Sequence, residues 1–161
     1  MMFYNKFKYL IVLCLTIGLF ASCDKNKIYD SNRDLDGNKW FIDTVPSFSF
    51  KIEDTLAAYN LSLNLRNSVS YPYYNLFMRY TLTDSKGEKL SGRQVEVMLM
   101  DSKTGRPLGN GAGDIFDNQF MFLEKYKFPR KGVYKLTYKQ YMRQDPLPEI
   151  MSVGLKVERS K

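Results

Sequence analysis

Polar and apolar residues alternate with a period of two along most of the chain beyond residue 40. In the clearest run, Leu61, Leu63 and Leu65 alternate with polar side chains. Because successive side chains of a strand point to opposite faces of a sheet, this pattern predicts strands with one buried face and one wetted face. The alternation marks residues 48–52, 59–66, 76–83, 95–100, 134–139 and 151–158, and residues 120–128 form a further aromatic-rich run that is interrupted by Glu124 and Lys125.

Turn-forming residues separate these runs, for example at residues 84–87, 129–132 and 145–148. No stretch shows a sustained apolar stripe with the 3.6-residue period of a helix. The sequence therefore predicts an all-β fold, an antiparallel β-sandwich of about seven to eight strands, for which a jelly roll is one possible connection order. The expected core includes Leu61, Leu63, Leu65, Met78, Tyr80, Leu136, Val153 and Leu155.

The first 22 residues have the order of a secretory signal peptide. Lys6 and Lys8 precede an apolar run at residues 10–20, which is too short for an ordinary membrane-spanning helix. The run ends in Phe20-Ala21-Ser22-Cys23, which resembles a bacterial lipobox. We therefore expect cleavage after residue 22 and lipidation of Cys23, with diacylglycerol and acyl chains such as palmitate holding the protein on a membrane. The alternative is an ordinary signal cleavage near Ala21, which leaves Cys23 free.

Residues 23–39 are mostly polar, and we expect a lipidated cysteine followed by a tether, with the sandwich over residues 40–161. Part of this segment has the spacing of a calcium-binding loop, but it lacks the first Asp, the last Glu and the flanking helices of an EF-hand. A polar turn is the favoured interpretation. The residues concerned are Asn32, Asp34, Asp36 and Gly37.

Composition excludes several kinds of chemistry. The chain has no histidine, and therefore no Ser-His-Asp or Cys-His arrangement. Of its two cysteines, Cys14 leaves with the signal peptide and Cys23 is expected to be acylated. The net charge of +7 falls to +5 without Lys6 and Lys8, and the basic residues are spread along the chain rather than clustered as in a nucleic-acid-binding protein. We expect no enzyme activity, cofactor, metal site or nucleic-acid partner.

Two segments are candidate surface features. Tyr71, Tyr73 and Tyr74 lie between two predicted strands, where aromatic rings could contact a partner protein or stack on a sugar, or instead cap the end of the sandwich. Residues 109–114 are rich in glycine, but no third glycine of a dinucleotide fingerprint and no Gly-Lys-Ser/Thr follows. A turn or bulge between strands is therefore favoured there.

Short stretches in a specific order along the chain resemble the gliding motility lipoproteins of the GldH family of Bacteroidetes. They begin at Cys23 and lie at residues 28–30, 40, 48–52, 59–67, 71–77, 109–115, 128–134, 140–143 and 153–157. The resemblance implies a non-enzymatic lipoprotein of the cell envelope that serves gliding motility and an associated secretion apparatus. It implies no catalytic or ligand-binding residues.

The first hypothesis is therefore a lipoprotein on the outer membrane, facing the periplasm, that works through contacts with other gliding or secretion proteins. The second is a lipid-anchored carbohydrate-binding module that uses Tyr71, Tyr73 and Tyr74 as a stacking platform. A hydrolase or hydrolase accessory ranks third, because the sequence offers no site for it.

Overall fold

Eleven strands and one turn of 3-10 helix make up the elements of residues 26–161, the part of the chain that the computed structural model describes. The strands are β1 (Lys27–Asp34), β2 (Lys39–Trp40), β3 (Ser47–Ile52), β4 (Tyr59–Ser68), β5 (Asn75–Thr83), β6 (Lys89–Met98), β7 (Asn110–Ala112), β8 (Ile115–Tyr126), β9 (Gly132–Gln140), β10 (Leu147–Pro148) and β11 (Ile150–Arg159). The 3-10 turn spans Asp36–Asn38.

The strands form two main sheets in which neighbours run antiparallel. One sheet has the order β1-β11-β4-β8-β7, the other has the order β3-β9-β5-β6, and β10 pairs separately with β2. The eight long strands alternate between the sheets in the order of a jelly roll, with β5 and β6 as the only consecutive long strands that share a sheet. The predicted all-β sandwich and its jelly-roll arrangement are confirmed.

The core lies between the two sheets and is formed by the inward-facing half of each alternating run. In β4, Leu61, Leu63 and Leu65 are fully or almost fully buried, whereas Arg66 is exposed. The other predicted core residues are also buried, so alternation assigned the strand faces correctly. These residues are Met78, Tyr80, Leu136, Val153 and Leu155.

The predicted tether is wrong over much of its length, because Lys27–Asp34 forms strand β1 at the edge of the five-stranded sheet. Its residues pair with β11, and the Tyr29 ring lies 6.0 Å from the ring of Phe50. An edge strand buries only part of one face, so β1 contains few apolar residues and resembles a linker in sequence. Of the proposed calcium-loop residues, Asn32 and Asp34 belong to this strand. The predicted turn forms over Asp36–Asn38, with Gly37 at a φ of 60°.

Strand β1 also fixes where the chain enters the sandwich. Lys27 pairs with Glu158 near the end of β11, at the same end of the sandwich where Ile52 of β3 pairs with Gly132 of β9. Cys23 and the predicted signal peptide, residues 1–22, lie outside the described residues. Only three residues separate Cys23 from Lys27, so any anchor at Cys23 lies close to this end.

Candidate functional site

The three tyrosines of the segment after β4 have different surroundings and do not form one aromatic platform. Tyr71 is 3% exposed, donates a hydrogen bond from its hydroxyl to the Asn75 carbonyl oxygen at 2.9 Å, and has its pKa raised well above the usual range by burial. Tyr73 is half-buried, lies edge-to-face on Tyr71 with ring centres 5.7 Å apart, and donates to Gln144 Oε1 at 2.7 Å. Tyr74 is 51% exposed. Tyr71 therefore belongs to the core, and Tyr74 offers the most accessible of the three rings.

The glycine-rich segment is a tight hairpin. Residues 110–112 form β7, which pairs with the start of β8, and Gly113 adopts a φ of 67° at the turn. A Cβ at Gly111 would clash with the carbonyl oxygen of Ile115, so this position needs glycine for the close approach of the two strands. The geometry agrees with the predicted turn between strands.

The outer face of the five-stranded sheet carries a row of side-chain amides that runs across its strands. Asn32 of β1, Gly154 of β11, Asn64 of β4 and Gln119 of β8 are aligned by strand pairing. Asn64 Nδ2 donates to Asn32 Oδ1 at 3.2 Å and to Asp30 Oδ1 at 3.1 Å, and Gln119 Nε2 donates to Asn64 Oδ1 at 2.9 Å. We call Asn32, Asn64 and Gln119 the amide row.

Glycine at position 154 makes the amide row possible. A Cβ there would clash with Asn32 Oδ1 and would lie 2.7 Å from the carbonyl oxygen of Ser31. The missing side chain lets Asn32 extend over β11 and reach Asn64 on the far side. The amide row therefore depends on one backbone position that sequence alone does not connect to it.

The amide row borders a surface recess of about 390 Å³ that also includes Arg66 and Asp117. Arg66 donates to both carboxylate oxygens of Asp117, at 2.7 and 2.9 Å. This hydrogen bonding holds the pKa of Asp117 below its usual range. Within the described part of the chain, the Asn32 amide nitrogen and the Gln119 amide oxygen have no hydrogen-bond partner, so the recess offers both a donor and an acceptor to a ligand.

The described residues contain no group of three or more His, Cys, Asp or Glu side chains that could hold a metal ion. Over the same residues, no helix is long and apolar enough to cross a membrane. The outer face of the five-stranded sheet carries hydrogen-bonding and charged side chains, among them Asn32, Gln119 and Arg66.

These features define the class of the protein, a jelly-roll sandwich domain with polar sheet faces. The model of the family described as GldH lipoprotein matches residues 27–157, and the chain belongs to this family. The resemblance deduced from the short sequence stretches is thereby confirmed.

Two curated relatives cover almost the whole chain. A gliding motility lipoprotein GldH homolog from Christiangramia forsetii is 31% identical over 156 residues, which cover 92% of this chain and 94% of the relative. The gliding motility lipoprotein GldH of Flavobacterium johnsoniae is also 31% identical, with the same two coverages.

Similarity to solved structures is weaker. A chain of infectious bursal disease virus, strain Gx, matches 84% of this chain with a TM-score of 0.44 and 13% identity, and the match spans 33% of the viral chain. Latent PorU from Porphyromonas gingivalis matches 87% of this chain with a TM-score of 0.34 and 10% identity, over 14% of its own length.

Proposed function

We propose that this protein is a lipoprotein of the outer membrane, facing the periplasm, that supports gliding motility and the associated secretion machinery through contacts with other envelope proteins. The observation that carries this proposal is the family match over residues 27–157, together with relatives named as gliding motility lipoproteins. The family and both relatives are described as lipoproteins, without an enzymatic activity in the description, and the chain has no histidine for acid–base catalysis.

The anchor in this proposal is Cys23, exposed by removal of residues 1–22 as a signal peptide. The lipobox-like order of Phe20, Ala21 and Ser22 before Cys23 supports it. Because β1 begins at Lys27, the segment from Cys23 can span at most about 14 Å when fully extended. The sandwich is then held close to the membrane rather than at the end of a long tether.

Fractionation of the full-length chain tests the anchor. We expect Cys23→Ser to release the protein from the membrane into the soluble fraction, because the acyl chains are lost. Cys14→Ser is the matched control, since Cys14 lies in the segment expected to be removed, and this variant should remain on the membrane. Persistent membrane association of Cys23→Ser at high salt would contradict the lipoprotein assignment.

A second candidate function is carbohydrate binding, and the recess beside the amide row favours it. Sugar hydroxyl groups both donate and accept hydrogen bonds. They can therefore accept from the Asn32 amide nitrogen and donate to the Gln119 amide oxygen. Of the three tyrosines, Tyr74 keeps an exposed ring, but it does not line this recess, so the recess itself supports this function. A glycan array with residues 24–161 tests this function. Binding that is lost in an Asn32→Ala, Gln119→Ala variant but kept in Tyr71→Phe would support it, and an array without any bound glycan would reject it.

A further inference from the structure

Four unpaired cations lie on the outer face of the four-stranded sheet. Arg79 of β5, Lys89 of β6, and Lys135 and Lys139 of β9 form no ion pair within the described residues. The carboxylate of Glu96 on the same face already accepts a hydrogen bond from Asn75 Nδ2 at 2.6 Å. We call this set of four residues the cationic face.

Strand pairing arranges the cationic face in two rows. Lys139 is directly opposite Arg79, and four residues away along the strands Lys135 and Lys89 each pair with Thr83. At about 3.3 Å per residue the two rows are roughly 13 Å apart.

The floor between the two rows is formed by small residues. Thr137, Thr81 and Gly92 pair side by side across β9, β5 and β6. The side chain of Lys89 lies over this floor: a Cβ added at Gly92 would be only 2.9 Å from Lys89 Cε. The hydroxyl groups and the glycine keep the surface low between the two rows, so an extended ligand that lies there can meet cations of both rows.

This arrangement is unfavourable in the isolated molecule. Like charges directly opposite each other on neighbouring strands destabilise a sheet, and no carboxylate within the described residues forms an ion pair with Arg79 or Lys139. Departures from favourable local pairing are expected where a surface serves a function. An anionic ligand would convert the repulsion between the two rows into attraction.

We propose that the cationic face binds an acidic, extended segment of a partner protein. Carboxylates distributed along an extended segment can match rows that are about 13 Å apart, whereas a single small anion can meet only one row. The inference rests on the proposed anchor at Cys23, which sets the orientation of the domain. We expect the anchor at the Gly132 end of the sandwich, and Lys135 and Lys139 are three and seven residues farther along β9, roughly 10 and 23 Å from that end. With the membrane at that end, the cationic face lies on the side of the sandwich, where it can meet a neighbouring protein.

The test uses the mature chain with Cys23→Ser, which keeps the whole sandwich of residues 27–159 without acyl chains. The probes are a fluorescent octaglutamate peptide and vesicles of phosphatidylglycerol and phosphatidylcholine. We expect the peptide to bind, with an affinity that falls as salt rises, and the vesicles to bind less well.

Four variants test where the peptide binds. Arg79→Gln with Lys139→Gln, and separately Lys89→Gln with Lys135→Gln, should each weaken peptide binding about tenfold, because each removes two exposed ion pairs. Lys103→Gln with Arg106→Gln is the matched control, since it removes the same charge from an exposed turn, and it should bind within about twofold of the parent chain. Arg79→Lys keeps the charge and should also keep binding.

The proposal is overturned when the peptide does not bind, when the control loses as much affinity as the face variants, or when vesicles bind and the peptide does not. A thermal midpoint measured on every variant separates loss of binding from loss of fold. Membrane fractionation of Cys23→Ser decides the anchor independently, so failure of the anchor and failure of the cationic face give different results.

Discussion

The outer faces of the two sheets both meet solvent, but cross-strand neighbours complement each other on one face, whereas two of them carry like charges on the other. On the five-stranded sheet, Asn64 bonds to Asn32 and Gln119, and Arg66 forms two hydrogen bonds with Asp117. On the four-stranded sheet, Arg79 pairs with Lys139, another cation. Since either face could have been built from self-paired residues, folding alone does not explain the unpaired cations of the second face.

The contrast also separates two kinds of binding surface. A self-paired face is neutral overall and recognises a ligand by the few hydrogen-bonding positions that it leaves open, so salt should affect it little. A face of unpaired cations attracts anions over distances of about a Debye length, which makes binding fast and sensitive to salt. Carbohydrate binding at the amide row and binding of an acidic partner segment at the cationic face therefore depend on different sheets. Substitutions on one sheet should abolish one activity and leave the other.

Leu63→Ala should have the largest effect, because it leaves a cavity in the core that supports both faces. Leu63 is fully buried in β4, next to the outward-facing Asn64. We expect a loss of roughly 2–5 kcal/mol in the free energy of unfolding, measured by chemical denaturation. Asn64→Ala on the opposite face of the same strand is the control and should cost much less. Similar losses for the two variants would show that the inner and outer faces of β4 are not distinct.

Gly154→Ala should have the next largest effect and should act on the five-stranded sheet alone. The added methyl group would displace Asn32 and crowd the Ser31 carbonyl oxygen, so we expect a loss of about 1–3 kcal/mol in unfolding free energy. Adding Asn32→Ala should recover part of that loss, because the side-chain clash is removed and the backbone contact remains. No recovery in the double variant would show that the amide row does not depend on the space above Gly154.

The Arg66–Asp117 pair should make a smaller, pH-dependent contribution. Both side chains are largely exposed, so Arg66→Gln should lower the unfolding free energy by about 0.2–1 kcal/mol at neutral pH. The pKa of Asp117 is lowered in the folded chain, so the stabilisation is present above the unfolded-state pKa of about 3.9 and disappears as the pH falls through the folded-state value. Denaturation of both chains between about pH 7 and pH 2 measures the difference. A difference that stays constant to the lowest pH would exclude this ion pair as its source.

Lys139→Gln should have the smallest effect and the opposite sign. Removing one of two directly opposed cations should raise the unfolding free energy by a few tenths of a kcal/mol. Lys103→Gln in the exposed turn is the matched control and should leave it nearly unchanged. Thermal or chemical denaturation at low salt measures the gain, which should shrink as salt rises. A loss of stability would mean that Lys139 is stabilised by its surroundings, and it would remove the energetic argument for the cationic face.

The sequence predicted the strand faces well because alternation is a local property. Leu63 and Asn64 could be assigned to opposite faces without knowledge of their neighbours. Strand β1 was missed because Tyr29 is its main inward-facing anchor and the remaining residues are largely polar. The burial of Tyr71 was missed because aromatic residues in a segment between strands have no period that indicates which way they point.

The two surfaces were beyond sequence analysis for a different reason. The amide row brings together Asn32, Asn64 and Gln119, and Gly154 lies on the strand between Asn32 and Asn64. The cationic face brings together residues as distant in sequence as Arg79 and Lys139. Which positions face each other depends on the register between strands that are distant in sequence. The polar residues of β4 mark its outer face in the sequence itself, but they do not indicate which residues of other strands they contact. These polar residues are Asn60, Ser62, Asn64 and Arg66.

The position of β1 has a mechanical consequence for a protein held at Cys23. A pull between a membrane anchor and a partner bound to the side of the sandwich would act on Lys27, along the axis of β1. The pairing from Lys27 with Glu158 to Asp34 with Ser152 would then be loaded in shear, with the hydrogen bonds of the strand sharing the force rather than opening one after another. The first strand would transmit tension to the last strand, β11, and through it to β4 at the centre of the sheet. A segment whose sequence resembles a flexible linker would thus serve as a stiff mechanical link between the membrane and the domain.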